Sequence, residues 1–388
     1  MKQKMKKLAM AVSLTFAVGM AQAQDVKIYG IMDVGIVNAT NVGSVGKNAT
    51  QVLSSPMTTS RLGFLASENL GGGTTSGINL EAQVNPATGD NGFSAGTGAS
   101  NALMNRQANV YFENSQLGMV KAGRQGNLVF ETFNYGDVNG GRNFGGSLNY
   151  FADGSSFGGT STAKTGIGTF TGATQVSNAV RLDSPVIKGF KGSIQYTFGG
   201  VSSDATLGAL NASSRHTYAL SYNNGPLAGA VSYQTSDSSA GLATVQTTTV
   251  GGNYTVDKVK VAAGWANFQN PNGAKAANTD FDLRQVSANY NVTPKINVSV
   301  GYYNLKDNIS SANGSRTWSL VGDYNFTKRT GAYVGVATTA NKGGSGFSPY
   351  GGGTANFNSL YGTATYPSLI ASTGSTQNAF VVGMTHRF

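Results

Sequence analysis

The chain ends in the segment Asn378–Phe388, which reads NAFVVGMTHRF. In an extended strand, alternate side chains point to opposite faces. Phe380 and Met384 therefore share one face with the terminal Phe388, whereas Arg387 lies on the other. A strand with one apolar face and one polar face at a free C-terminus predicts the closing strand of a transmembrane β-barrel, with its apolar face toward lipid and its polar face toward a lumen.

The first 23 residues predict a secretory signal peptide. Four lysines within residues 2–7 precede the short apolar run Leu8–Met20, and Ala21–Ala23 (AQA) has the small-x-small form of a cleavage site. The mature chain is therefore expected to start at Gln24, with residues 24–388 forming the barrel domain. An N-terminal membrane anchor is the alternative, although the apolar run is short for a membrane span.

Composition excludes several classes of function. Without residues 1–23, the chain has 23 lysines and arginines against 17 acidic residues, a net charge of +6, and no basic run that would indicate a nucleic-acid partner. There is no cysteine, which excludes a disulfide framework and thiolate metal sites. His216 and His386 lie 170 residues apart, so neither a metal site nor a cofactor is expected.

Alternation with a period of two recurs along the mature chain, and no stretch has 18 consecutive apolar residues. Short turns alternate with long polar connections, which is typical of barrels with short periplasmic turns and long extracellular loops. Sixteen strands would leave an aqueous channel in the barrel. The predicted strands are 26–36, 58–68, 77–85, 105–113, 119–125, 177–184, 191–199, 216–223, 227–234, 246–255, 259–267, 283–291, 295–304, 316–326, 331–339 and 378–388.

The predicted long connections include residues 37–57 and residues 126–176. A soluble β-sandwich is the alternative fold, but it would not explain why long and short connections take turns over the whole mature chain. Aromatic residues near predicted strand ends also favour a barrel, because they indicate girdles at the membrane interfaces. These residues are Tyr254, Trp265, Tyr290 and Tyr302.

Several segments resemble the Gram-negative general porins, in particular those of the β-proteobacterial branch. The resemblance implies an outer-membrane barrel of sixteen strands, a homotrimer, and a third extracellular loop folded into the lumen. Residues 126–176 occupy the third-loop position, and their part 154–169 is interpreted as an insertion. The matching segments are Val26–Ile36 (VKIYGIMDVGI), Ser60–Gly73 (SRLGFLASENLGGG), Asn105–Val110 (NRQANV), Val120–Gln125 (VKAGRQ), Asn178–Pro185 (NAVRLDSP), Tyr218–Pro226 (YALSYNNGP) and the terminal HRF.

Arginines form the candidate basic wall of a pore constriction. By strand parity Arg61 and Arg181 point into the lumen, and the resemblance implies that arginines at these two positions face the third loop. Arg106 and Arg124 lie in matching motifs, but each falls in line with the apolar set of its strand. A bulge or a position near a strand end would be needed to turn them inward.

Acidic residues are expected on the opposite side of the constriction. Glu131 and Asp137 lie early in the third loop, in a region where the resembling family carries acids. For both residues a plain solvated loop position is the alternative. Four further charged residues share inward parity and are candidates for tuning the lumen, namely Lys27, Asp33, Glu81 and Lys121.

The predicted function is passive diffusion of ions and small hydrophilic solutes through a water-filled pore with a weak anion preference. A substrate-specific channel and a non-conducting structural or adhesive barrel remain alternatives. An enzyme is not expected: Gly154–Gly158 (GSSFG) matches a nucleophile motif only by chance, and Gly43–Asn48 (GSVGKN) lacks the spacing of a phosphate-binding loop. The expected partners are outer-membrane lipid, further copies of the chain and small solutes, with no nucleic acid and no metal.

Overall fold

The computed structural model describes residues 25–43, 46–89, 103–151, 174–199, 214–237, 244–269, 280–350, 369 and 371–388. These residues form a single antiparallel sheet of seventeen strand segments. The sheet closes on itself because β1 pairs with β17 over Ile31–Ala39 and Ala379–Arg387. The prediction of a closed antiparallel β-barrel is therefore confirmed.

The strands follow one another around the barrel in chain order. They are β1 (Asp25–Val42), β2 (Lys47–Ser54), β3 (Arg61–Gly71), β4 (Thr74–Gln83), β5 (Gln107–Asn114), β6 (Gly118–Gly126), β7 (Gln175–Asp183), β8 (Phe190–Thr197), β9 (Arg215–Asn224), β10 (Leu227–Asp237), β11 (Thr244–Val256), β12 (Val259–Gln269), β13 (Asp280–Asn291), β14 (Ile296–Asp307), β15 (Gly314–Asn325), β16 (Thr330–Lys342) and β17 (Thr376–Arg387).

Two of these strands share one position in the barrel. β3 pairs with the first part of β1 and β2 pairs with its second part, so seventeen segments fill sixteen positions. The prediction of a loop over residues 37–57 is therefore wrong. β1 continues to Val42 because Val37 and Ala39 are buried inside the barrel, and Val42 pairs with Lys47 of β2. Gly43 and Gly46, next to this pair, have positive φ, which glycine adopts readily.

The break between β2 and β3 is organised by one buried carboxylate. Asp33 of β1 is fully buried on the inner face. Its carboxylate accepts hydrogen bonds from the backbone N–H groups of Met57 and Thr58 and from the Tyr333 hydroxyl of β16. An unpaired buried carboxylate would be costly, so the two backbone donors fix the path of residues 55–60. The Tyr333 hydroxyl joins β1 to β16 across the intervening strand β17.

The C-terminal strand β17 closes the barrel, as the alternation of its apolar and polar residues predicted. Phe388 and Gly30 exchange backbone hydrogen bonds of 3.1 Å. The Phe388 ring lies so close to Gly30 that any Cβ atom at that position would collide with it. The glycine therefore leaves the space in which the terminal aromatic ring packs.

The outer face of the barrel is apolar and exposed. Phe380, Val382 and Met384 are each at least 42% exposed, whereas Val381 on the opposite face is fully buried. Tyr302 and Trp318 pack side by side on this outer face, with ring centroids 4.3 Å apart. No helix in the described part of the chain is long and apolar enough to cross a membrane.

The interior is not uniformly polar. Two apolar clusters lie inside the barrel, one centred on Val37, Phe144 and Val381, and the other on Phe133, Phe151 and Phe268. Both clusters join inward residues of the strands to the segment 127–151, which lies in the connection between β6 and β7. We call residues 127–151 the L3 segment. The sequence prediction of a polar inner face missed these clusters.

We expect Asp33→Ala to lower the free energy of unfolding by at least about 2 kcal/mol, because it leaves two backbone N–H groups and the Tyr333 hydroxyl without their buried acceptor. Asp25→Ala removes an exposed carboxylate from the same strand and serves as the matched control. Urea unfolding of the refolded protein in detergent measures both. Equal stability of the two variants would contradict the role assigned to Asp33.

Candidate pore constriction

The L3 segment starts with a short helix, α1 (Leu128–Phe133), that is held against the inner wall. The Asn127 side chain caps it by accepting from the Val129 N–H at 3.1 Å. Its apolar face is buried, and the Thr132 hydroxyl bonds the Ser232 hydroxyl of β10 at 2.7 Å. Glu131 points away from this packed face and carries its carboxylate across to β7.

The remainder of the L3 segment is fixed by polar contacts farther round the wall. Asp137 accepts from the Ser147 N–H and from the Tyr303 hydroxyl of β14, each at 2.9 Å. Arg142 pairs with Asp323 of β15 at 2.9 Å. In the second short helix, α2 (Leu148–Phe151), burial raises the pKa of the Tyr150 hydroxyl to about 12, so it stays a neutral hydrogen-bonding group bound to β15.

Arginines of the opposite wall converge on one buried acid. Glu81 of β4 is 3% exposed and accepts from Arg106 Nε at 2.6 Å and from the Tyr29 hydroxyl at 2.8 Å. Arg61 Nη1 lies 3.9 Å from the same carboxylate, and Arg61 Nε donates to the Thr59 carbonyl at 2.9 Å. Arg106 precedes β5, and this position lets its side chain turn inward against the parity of the strand.

A second charged group connects the wall to the L3 segment. Arg181 of β7 donates to Glu131 Oε2 at 2.6 Å and to Asp183 Oδ1 at 2.9 Å. Lys121 of β6 stands directly opposite Arg181 in the sheet register. Glu131 therefore reaches the lumen with its charge already paired, while Lys121 adds a further positive charge beside it.

The other predicted site residues do not take part in the ion pairs of Glu81 or Glu131. Arg124 lies at a bulge between β6 and β7, and its guanidinium donates to the Asn105 carbonyl and to the Ser177 hydroxyl. Lys27 is exposed near the periplasmic end of β1. Asp33 and Asp137 are buried and hydrogen-bonded within the wall and the L3 segment, so neither is brought together with the arginines of β3–β7.

Sequence reasoning left two arginines out of the candidate site residues. Arg142 is held in the lumen by the fold of the L3 segment, and no local pattern predicts that position. Arg387 carried a usable signal, because its parity already placed it opposite Phe388. Among the described residues, no group of three or more histidine or acidic side chains is arranged to hold a metal ion. The chance nucleophile-motif match at 154–158 and the interpreted insertion 154–169 lie outside the described residues.

A closed barrel with an exposed apolar outer face, charged residues inside and a segment folded across the lumen defines a transmembrane channel. The comparison with protein families matches residues 9–344 to Gram-negative porins. The chain belongs to the Gram-negative porin family, and it is an integral protein of the outer membrane. The resemblance found in the sequence and the prediction of a passive diffusion pore are thereby confirmed.

Solved structures support the same fold. An anion-selective porin from Comamonas acidovorans matches with a TM-score of 0.75 and 20% identity over 94% of this chain and 100% of that chain. The trimer form of OmpT from Vibrio cholerae matches with a TM-score of 0.61 and 13% identity over 95% and 100%. OmpF of Salmonella typhi, in complex with daunomycin, matches at 0.60 and 15% over 94% and 97%. No curated protein matches the chain.

We expect Asp137→Ala to loosen the L3 segment, because it removes the acceptor of the Ser147 N–H and the Tyr303 hydroxyl. The expected result is noisier single-channel current and faster proteolysis between residues 134 and 147. Glu68→Ala, at an exposed acid on β3, is the matched control. A quiet and protease-resistant Asp137→Ala channel would show that this carboxylate does not hold the segment.

Proposed function

We propose that this porin prefers anions weakly and that the preference arises at the wall formed by Arg61, Arg106 and Arg181. One observation carries the proposal: five basic side chains stand on the wall of β3–β7, and the three acids beside them are engaged in ion pairs with arginines of this wall. The basic residues are Arg61, Arg106, Lys121, Arg124 and Arg181, and the acids are Glu81, Glu131 and Asp183.

The L3 segment supports the proposal by its chemistry. Its anchoring acid Asp137 is buried, and its Glu131 is paired with Arg181. A strong acidic face opposite the arginines, as the resemblance implied, is therefore not the expected source of selectivity. Local charge at the narrowest section outweighs the net charge of the chain, so excess basic charge on one wall favours anions.

We further propose that the pore works as a homotrimer, that residues 1–23 are a cleaved signal peptide, and that the protein has no enzymatic activity. The trimer form of the Vibrio cholerae relative supports the first point. Histidine placement supports the last, because His216 packs on Tyr196 at the extracellular end of β9, whereas His386 bonds Thr330 at the periplasmic end of β17.

The inward tyrosines give no support to a substrate-specific aromatic track. Tyr29 and Tyr111 lie over glycines of neighbouring strands, where a side chain at Gly63 or Gly77 would collide with the rings. Tyr333 is bound to Asp33 and covers Gly383 in the same way. These rings fill gaps in the wall.

The test is the current through single channels in a planar bilayer under a KCl gradient. We expect steady open steps and a reversal potential of the sign given by chloride. A reversal potential of cation sign would keep the pore and contradict the role of the arginine wall. The absence of conduction from inserted protein would contradict the diffusion function and favour a structural or adhesive barrel.

Arg61→Gln should lower the chloride-to-potassium permeability ratio about two- to threefold in about 0.1 M salt. One charge about 7 Å from a permeating ion contributes about 0.6 kcal/mol in water, with opposite sign for chloride and potassium, and screening at this salt concentration roughly halves each contribution. Arg316→Gln removes an arginine from the exposed outer face of β15 and is the matched control. Its ratio should equal that of the unchanged chain. An equal shift in both variants would point to net charge in place of a local wall.

Glu131→Gln should have the opposite effect and raise the same permeability ratio, because it frees the Arg181 charge toward the lumen. The difference in reversal potential between Glu131→Gln and the unchanged chain should be smaller under gradients centred near about 1 M KCl than near about 0.1 M KCl, because salt screens the charge. A lower ratio in Glu131→Gln would mean that Glu131 mainly orients Arg181 and that this orientation matters more than the freed charge.

A further inference from the structure

A cavity of about 290 Å³ lies inside the barrel, beside the arginines gathered at Glu81 and lined by other residues. One side is formed by Gly140–Arg142 of the L3 segment. The other is formed by residues at the ends of β14–β17, including Asn297, Asn325 and Arg387. These strand ends adjoin the short connections 292–295 and 326–329, so the cavity lies between the L3 segment and the periplasmic mouth.

The cavity is lined by two guanidinium groups and one carboxylate. Arg142 donates through Nη2 to Asp323 at 2.9 Å and through Nη1 to Met57 Sδ at 3.9 Å. A guanidinium has five N–H donors, so Arg142 has donors left for a further partner. Arg387 is exposed and forms no ion pair with another described residue, so its guanidinium is open to a ligand. The buried Asp33 carboxylate lies behind the lining and is occupied by hydrogen bonds from Met57, Thr58 and Tyr333.

We propose that this cavity binds small carboxylate anions, with Arg387 and Arg142 as the charged donors. A guanidinium matches the geometry of a carboxylate and binds it through paired hydrogen bonds. Asn297 and Asn325 add neutral amides to the same lining. A cavity of this volume is large enough for an acid of a few carbon atoms together with bound water.

The sheet register connects this cavity to the basic wall. Ile31 of β1 pairs with Arg61 on one side and with Arg387 on the other, and both arginines point inward. Neighbouring strands are about 4.8 Å apart, so the two Cα atoms are about 10 Å apart. An anion held at Arg61 is therefore close to Arg387, which is the last residue of β17.

The inference rests on the proposed anion preference, and equilibrium binding tests it independently of conduction. Succinate is titrated into the refolded protein in detergent by calorimetry, and its effect on KCl current is recorded from each side of the bilayer. We expect saturable binding, and partial block that is stronger from the periplasmic side. Arg387→Gln should raise the Kd at least about tenfold.

Two further variants keep the test decisive if Arg387→Gln folds poorly. Asp323→Asn frees the guanidinium of Arg142 and should lower the Kd severalfold, an effect that a purely structural ion pair would not give. Arg316→Gln, on the outer face, should leave the Kd unchanged. Each current is normalised to the KCl conductance of the same variant.

Three results would overturn the inference. They are the absence of succinate binding to the folded chain, a Kd that Arg387→Gln and Asp323→Asn both leave unchanged, and a Kd that responds to Arg61→Gln but not to these two variants. Cation-selective current together with intact succinate binding would contradict the proposed anion preference and leave the cavity assignment standing.

Discussion

The interior of this barrel is decided by the apolar packing of the L3 segment against one part of the wall. Phe133 and Phe151 bury their rings among inward residues of β12–β14, and Phe144 does the same between β15 and β1. Burying aromatic rings stabilises this placement by about 1.5–3 kcal/mol for each large apolar side chain. Polar contacts then fix the position of the segment along the wall. The apolar packing and the polar contacts together determine which part of the lumen remains open to water.

Electrostatics follows from this packing. The L3 segment lies on the inner faces of the strands from β7 round to β17 and β1, and the arginines of β3–β7 form the charged remainder of the wall. Glu81 is the counter-charge that lets Arg61 and Arg106 stand close together, because like charges at such short range would otherwise repel. The counter-charges Glu81 and Asp183 therefore belong to the same wall as the arginines. The L3 segment contributes Glu131, which is paired with Arg181.

The sequence predicts the barrel well because alternation, turn residues and the C-terminal strand all report a local property, the side of the sheet that each residue faces. The same rule placed Arg61 and Arg181 inside. It fails where tertiary contacts override the expected polarity: Val37, Phe268 and Val381 point inward because the L3 segment covers them. Arg106 shows a different limit. It lies just before β5, and the alternation of faces does not predict the direction of a side chain outside a strand.

Closure of the barrel has a consequence for biogenesis. Ile31 must pair with Arg387, and Phe388 must reach Gly30, although more than 350 residues separate them in the chain. Contacts of such long range form slowly, because a large loop must close before they contribute any stability. A barrel in which β17 is not yet paired has two unpaired sheet edges, on β1 and β16, and such edges favour aggregation over a closed pore.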